Sequence, residues 1–184
     1  EYRAYVLEGL DANGLSATSA IRGARQGGSG SLITHPAIAA RLDWRGTAGL
    51  TVGAAGYTAD TWQDAQPSGG RISPRITLGE AHARWQWRGI QAAGLWVQGA
   101  LTQAGALSDA RGLSGDAHLV ERFRGGYVEA AYDVLPAAYP GTRYAFLPYL
   151  RFESYDTQDS VPGGSESPAN ARRVLTIGAA FKPH

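Results

Sequence analysis

The strongest constraint on this chain is the period of its hydropathy, which is two rather than 3.6. In Ile76–Trp87 the residues Glu80, His82, Arg84 and Gln86 alternate with Ala81, Ala83, Trp85 and Trp87. A helix would scatter these residues around its axis, whereas a strand sorts them onto two faces. Ile38–Trp44 repeats the pattern, with Arg41 and Asp43 set against Ala40, Leu42 and Trp44. In Arg143–Tyr155, Tyr149, Arg151 and Glu153 alternate with Phe146, Pro148, Leu150 and Phe152. In Arg172–Phe181, Leu175, Ile177, Ala179 and Phe181 stand against Thr176, Gly178 and Ala180. With Tyr2–Leu10, Leu50–Tyr57, Ile90–Thr102 and Arg122–Val134, these runs predict eight strands.

The connections between the runs alternate long, short, long. Arg45–Gly49 and Arg88–Gly89 are tight and carry glycine where the chain must reverse, and Pro136–Gly141 is slightly longer. Asp11–Pro36, Thr58–Pro74, Gln103–Glu121 and Asp156–Asn170 are rich in Gly, Ser, Asp and Pro and read as solvated loops, with short helical turns around Ala106–Leu113. This rhythm is that of an all-β, antiparallel, up-and-down transmembrane β-barrel, with short periplasmic turns and long extracellular loops.

A soluble half-buried sheet alternates in the same way, so the period alone places nothing in a membrane. Two further observations favour the barrel. One face of most strands is charged and the other apolar, which suits a wall with water inside and lipid outside. The aromatic residues fall in two bands. Trp44, Trp85, Trp87, Tyr132, Tyr144 and Phe181 lie near the short connections, and Tyr57, Trp96, Phe152 and Tyr155 lie towards the long ones. Interfacial girdles require this placement, although aromatic residues also favour strand ends in any sheet.

Composition excludes several alternatives. Lysine and arginine total 17 against 16 carboxylates, so net charge gives no argument for nucleic acid. Cysteine is absent, which removes disulfide scaffolds, thiolate metal sites and cysteine nucleophiles. The stretch Gly89–Ser108 is uncharged and long enough to span a bilayer as a helix. Its glutamines and glycines fit a strand followed by a loop better. No export signal stands at Glu1, so the chain reads as a mature protein or a fragment, a single β-barrel domain over 1–184 that is expected to be incomplete.

The polar face supplies the pore-lining candidates Arg41, Asp43, Glu80, His82, Arg84, Gln86, Glu129, Asp133, Arg151 and Glu153. A charged ring sets ion selectivity through its local field. Arginine–carboxylate pairs that merely satisfy one another are an equal reading, and the better one if only eight strands close, because such an interior is filled by side chains. Glu80 and His82 share a face, but two side chains are too few for a metal site, and His35, His118 and His184 fall in loops or at the terminus. No catalytic motif is present, so neither an enzyme nor a cofactor is expected. Gly23–Ser31 lacks the Gly-Lys-Ser/Thr ending of a phosphate loop. Arg122, Arg124, Arg172 and Arg173 gather at the long-loop end of two strands, where they are either lipopolysaccharide contacts or solvated strand ends.

Gly125–Leu135, Pro148–Gln158 with Val161-Pro162, and Leu175–His184 resemble strands and turns of porin-like outer-membrane proteins related to the phosphate-selective porin family, and Tyr2–Asp11 and Gly89–Gln91 also fit. The resemblance implies a Gram-negative outer-membrane barrel with a passive, porin-like role. Members are usually considerably longer and end on a C-terminal aromatic, so a slice of a larger barrel is expected, with a complete eight-stranded barrel second. Their basic pore clusters are rich in lysine, whereas Lys182 is the only lysine here, so strong anion selectivity is not expected. The expected partners are outer-membrane lipid, lipopolysaccharide, small solutes or ions, and further copies of the chain in a homo-oligomer. The alternatives from other classes are a non-conducting surface scaffold and a soluble ligand-binding β-barrel or sandwich.

Overall fold

A computed structural model describes residues 1–28, 31, 33–61, 72–163 and 165–183. The centre of the expected Thr58–Pro74 loop, part of the Gly23–Ser31 run, and His184 lie outside the described residues. The strands are β1 (Tyr2–Leu7), β2 (Ala37–Thr47), β3 (Leu50–Asp60), β4 (Arg75–Trp87), β5 (Ile90–Leu101), β6 (Arg122–Tyr132), β7 (Ala145–Ser160) and β8 (Ala171–Lys182). They form one eight-stranded antiparallel sheet in sequence order, an up-and-down meander. Among the described residues β1 and β8 each pair on one side only, so the sheet is open.

The reversals follow local chemistry. Arg88 and Gly89 have φ of 45° and 84°, the signature of a type I′ hairpin, whose twist matches the strands it joins. Ala48 and Gly49 reverse the chain after β2 in a different turn, in which only Gly49 has a positive φ, 77°. The third short connection is built on α1's shorter counterpart in the chain: α1 is Ala104–Ala110, and α2, Leu135–Ala138, joins β6 to β7. The uncharged stretch Gly89–Ser108 is thus a strand followed by most of α1, and no described helix is long and apolar enough to cross a membrane.

Several strand limits differ from the sequence reading: β2 and β3 run three residues further, to Thr47 and Asp60, β6 stops at Tyr132 rather than Val134, and two further differences have a visible cause. β1 stops at Leu7, because Gly9, Leu10 and Ala12 turn inward and are buried in the following loop. β7 continues to Ser160, five residues beyond Tyr155. There the buried Gln158 side chain donates to the carbonyls of Asp116 and His118 and accepts from Ser167 N and Asn170 Nδ2. These bonds recruit the extension by tying it to both neighbouring loops.

The main buried apolar cluster sits at the long-loop end rather than under the sheet. Leu10, Leu15, Ile76, Leu101, Leu107 and Leu119 belong to it, contributed by the loops, α1 and the adjoining strand ends. Arg111 secures the first loop by donating to the carbonyls of Ala12 and Leu15, at 3.1 and 2.9 Å. Ser108 Oγ, itself buried, donates to Ala104 O and accepts from Leu119 N. The long connections are therefore packed structure in the parts described.

Cross-strand register sorts the faces. One row runs Asp43, Gly53, His82, Leu95, Tyr127, Glu153, Val174; the adjacent row runs Trp44, Val52, Ala83, Gly94, Val128, Phe152, Leu175. The polar face is the more enclosed, with Asp43 only 4% exposed. The apolar face is open, with Leu175 at 60% and Ile177 at 76%. This is the reverse of a water-soluble sheet.

Candidate functional site

Strand alternation and the register place Arg41, Asp43, Glu80, His82, Arg84, Gln86, Glu129, Arg151 and Glu153 on one face. Asp133 lies beyond the end of β6. Its carboxylate accepts from the backbone N–H groups of Leu135 and Phe146 and so ties the short connection to β7.

The face carries two charged clusters. In the first, Arg41 Nε donates to both carboxylate oxygens of Asp43, at 3.1 and 3.0 Å. His82 stands between two acids, with Nδ1 2.9 Å from Glu80 Oε1 and Nε2 2.9 Å from Asp43 Oδ1. Arg41 Nη2 is also 2.8 Å from His82 Nε2. Only a doubly protonated ring donates to both carboxylates. The neutral ring with its hydrogen on Nδ1 donates to Glu80 and accepts from Arg41, leaving Asp43 to the guanidinium.

Asp43 and His82 are on β2 and β4, with β3 between them. They meet because the intervening residue is Gly53, paired with Asp43 on one side and His82 on the other. A Cβ at Gly53 would overlap the Asp43 carboxylate and stand 2.6 Å from His82 Cε1. The glycine is a window in the sheet surface through which two side chains join, and spacing along the sequence does not show it.

Glu1 extends the cluster towards the short-turn end through ion pairs with Arg3 and Arg45. Across β5, which presents Ala93, Leu95 and Val97 at this level of the face, lies the second cluster. Arg151 donates to Glu153 at 2.8 Å, faces Glu129 at 3.6 Å, and lies 3.8 Å from the Tyr127 ring centroid. Tyr127 is not among the candidates read from the sequence; the register places it on this face, where it stacks on an arginine. A cavity of about 220 Å³ between the clusters is lined by Arg41, Arg45, Thr51, Glu80, Arg84 and Tyr127. The arrangement pairs charges across the face and leaves the guanidinium of Arg84 free of a carboxylate among the described residues. Among the described residues no group of three or more His, Asp or Glu side chains is arranged to hold a metal.

The aromatic residues Trp44, Trp85, Trp87, Tyr132, Tyr144 and Phe181 are all exposed. Trp85 and Trp87 stack at 6.0 Å, Tyr144 and Phe181 at 5.9 Å, and the Arg88 guanidinium lies over Trp87.

No protein-family model matches the chain. It is similar to an uncharacterized protein of Aquifex aeolicus (strain VF5), with 27% identity over 191 residues that cover the whole chain. The chain spans 42% of that relative's length.

Proposed function

We propose that this chain is a segment of the wall of a bacterial outer-membrane β-barrel that acts as a porin-like channel for passive diffusion of small hydrophilic solutes or ions. The observation that carries this reading is the shape of the exposed apolar surface. Its lower edge is Trp44 on β2, Trp87 on β4, Tyr132 on β6 and Phe181 on β8. In the hydrogen-bonded register Trp44 is level with Leu175, and Phe181 lies six residues further along β8. The upper edge moves the same way, since Ile38, the highest outward apolar residue of β2, is level with Arg122 on β6.

Trp87 and Tyr132 share one row, but from β2 to β8 the apolar surface is an oblique band that drops on average about one residue per strand. A rise of about 3.3 Å per residue against a strand spacing of about 4.8 Å makes that a slope of roughly 35°. Strands of outer-membrane barrels tilt by about 35–45° to the membrane normal, so a level bilayer would mark such a band on them. Water offers no reason for the slope. Burying each large apolar side chain is worth about 1.5–3 kcal/mol, and more than a dozen stand exposed on this face. Their summed transfer free energy exceeds the roughly 5–15 kcal/mol by which a folded protein is stable. Lipid supplies what water would withhold.

The mixed charges of the polar face suit a water-filled lumen without strong ion preference. Conduction needs more strands than eight, because an eight-stranded interior is filled by side chains. The free edges of β1 and β8 leave room for them, as does a relative more than twice as long as this chain. A second reading, a non-conducting barrel serving as a surface scaffold, draws on the loops packed into a common core at one end. Planar-bilayer recording on the full-length protein separates the two: discrete single-channel steps are expected, and their absence from folded protein overturns the channel reading. A protein that stays folded and monomeric without detergent overturns both.

A further inference from the structure

The apolar band has a groove in it, and the groove ends under arginines. On the outward face Gly94 and Gly126 carry no side chain, while Trp96, Val128 and Phe152 stand beside them, leaving a trough of about 430 Å³ with an almost wholly apolar lining. The absence of side chains at its floor is partly enforced. A Cβ at Gly126 would lie 2.8 Å from Trp96 Cε3, so the indole rests directly over this residue.

At the long-loop edge of the trough the face changes character. Arg173 on β8 pairs in register with Ser154, a residue lining the groove, and Arg124 lies one outward position above Gly126 on β6. Arg122 is the next outward position. Strand spacing of about 4.8 Å and a rise of about 3.4 Å put the Cα atoms of Arg124 and Arg173 roughly 12 Å apart, a gap two arginine side chains can close around one headgroup. Arg124 is paired with Asp159 at 2.7 Å, and Asp156 is its neighbour across the ladder. Arg122 and Arg173 have no carboxylate partner among the described residues. At the corresponding upper edge of β1 and β2 the outward residues are Val6 and Ile38, and Arg75 on β4 is paired with Asp60, so among the described residues the outward arginines without a carboxylate at this edge are on β6 and β8.

Resting on the membrane reading above, we infer that this surface is a binding site for a phosphorylated, multiply acylated lipid of the leaflet at the long-loop side. Arg122, Arg124 and Arg173 hold its phosphate, and an acyl chain lies in the trough over Gly94 and Gly126. The charge complementarity is directional: guanidinium forks match phosphate oxygens, and they stand at the edge of the band, where lipid headgroups begin.

The test uses the full-length protein folded in zwitterionic detergent micelles and titrated with bisphosphorylated lipid A, dephosphorylated lipid A or phosphatidylcholine, with bound lipid counted by native mass spectrometry. Bisphosphorylated lipid A is expected to be retained at least tenfold more tightly than the other two. Arg122→Gln with Arg173→Gln removes that preference, whereas Arg25→Gln in the first loop leaves it intact. Gly94→Leu weakens binding of all acylated probes alike, and the fold accepts it because a Cβ there meets its nearest neighbours at 3.5–3.6 Å. Folded protein with no preference for phosphate, or a preference that survives the double substitution, overturns the site alone. Protein that does not fold in micelles overturns the membrane reading with it.

Discussion

Trp44 and Leu175 share one hydrogen-bonded row across the sheet, although Trp44 ends the apolar run of β2 at the short-turn side and Leu175 begins that of β8 at the long-loop side. A surface level with the row would leave one of them misplaced. A surface tilted across it accommodates both, which is why this pair bears on where the sheet resides.

The first prediction addresses that surface. Ile177 lies mid-band and is 76% exposed. Ile177→Arg in protein refolded into lipid vesicles is expected to lower unfolding stability by about 2–4 kcal/mol, the cost of a cation near the midplane on a lipid-facing strand. Thr176→Arg, on the opposite face, should cost much less. Guanidinium titrations followed by tryptophan fluorescence measure both. Equal, small effects would place Ile177 in water.

Gly53 is the second target. Gly53→Val forces a side chain between Asp43 and His82 and should destabilise the protein by about 1–3 kcal/mol, the range for overpacking. Pairing it with Asp43→Ala makes room, so the double variant should recover part of that loss. Strict additivity in this cycle would show that the two side chains do not meet through the glycine.

At the hairpin between β4 and β5, Arg88 adopts a φ of 45° that disfavours a long side chain. Arg88→Asn supplies a residue suited to the first position of a type I′ turn and is expected to add a few tenths of a kcal/mol to stability. Gly89→Ala, at φ 84°, should subtract about 1 kcal/mol. A stabilising Gly89→Ala would refute the turn assignment.

Gln158 supports the loops. Gln158→Leu keeps the volume but removes the bonds to Asp116 O, His118 O, Ser167 N and Asn170 Nδ2. The unsatisfied groups left behind cost about 1–3 kcal/mol, borne locally. Hydrogen exchange should accelerate around residues 116–118 and 167–170 and stay unchanged in β3 and β4. Uniform acceleration would mean that the loops and the wall unfold together.

Much of the wall was legible in the sequence because strand periodicity is a local property. Glu80, His82, Arg84 and Gln86 alternate with Ala81, Ala83, Trp85 and Trp87, and no distant contact is needed to sort them onto two faces. The reversals at Gly49 and Gly89 were equally local, since glycine reports a backbone angle. The candidate polar face followed as a set of residues, and all but Asp133, which caps a turn, are borne on its strands.

Tertiary structure decided what depends on register between strands. Asp43 and His82 are 39 positions apart, and they meet only because Gly53 falls between them in both ladders. The slope of the apolar band has the same origin: each strand records its own apolar run, but their relative heights exist only once the strands are paired. The loop core lay further still from sequence reading, because Leu107 and Leu119 belong to segments without period, Leu10 sits at the end of a run read as strand, and the three converge only when the strands bring their ends together. Sequence alone therefore determined the strands, their two faces and their turns, which arise from neighbours along the chain. Pairing across the sheet decided the charge clusters, the slope of the apolar band and the packed loops, because hydrogen-bonded register sets distances that chain order does not contain.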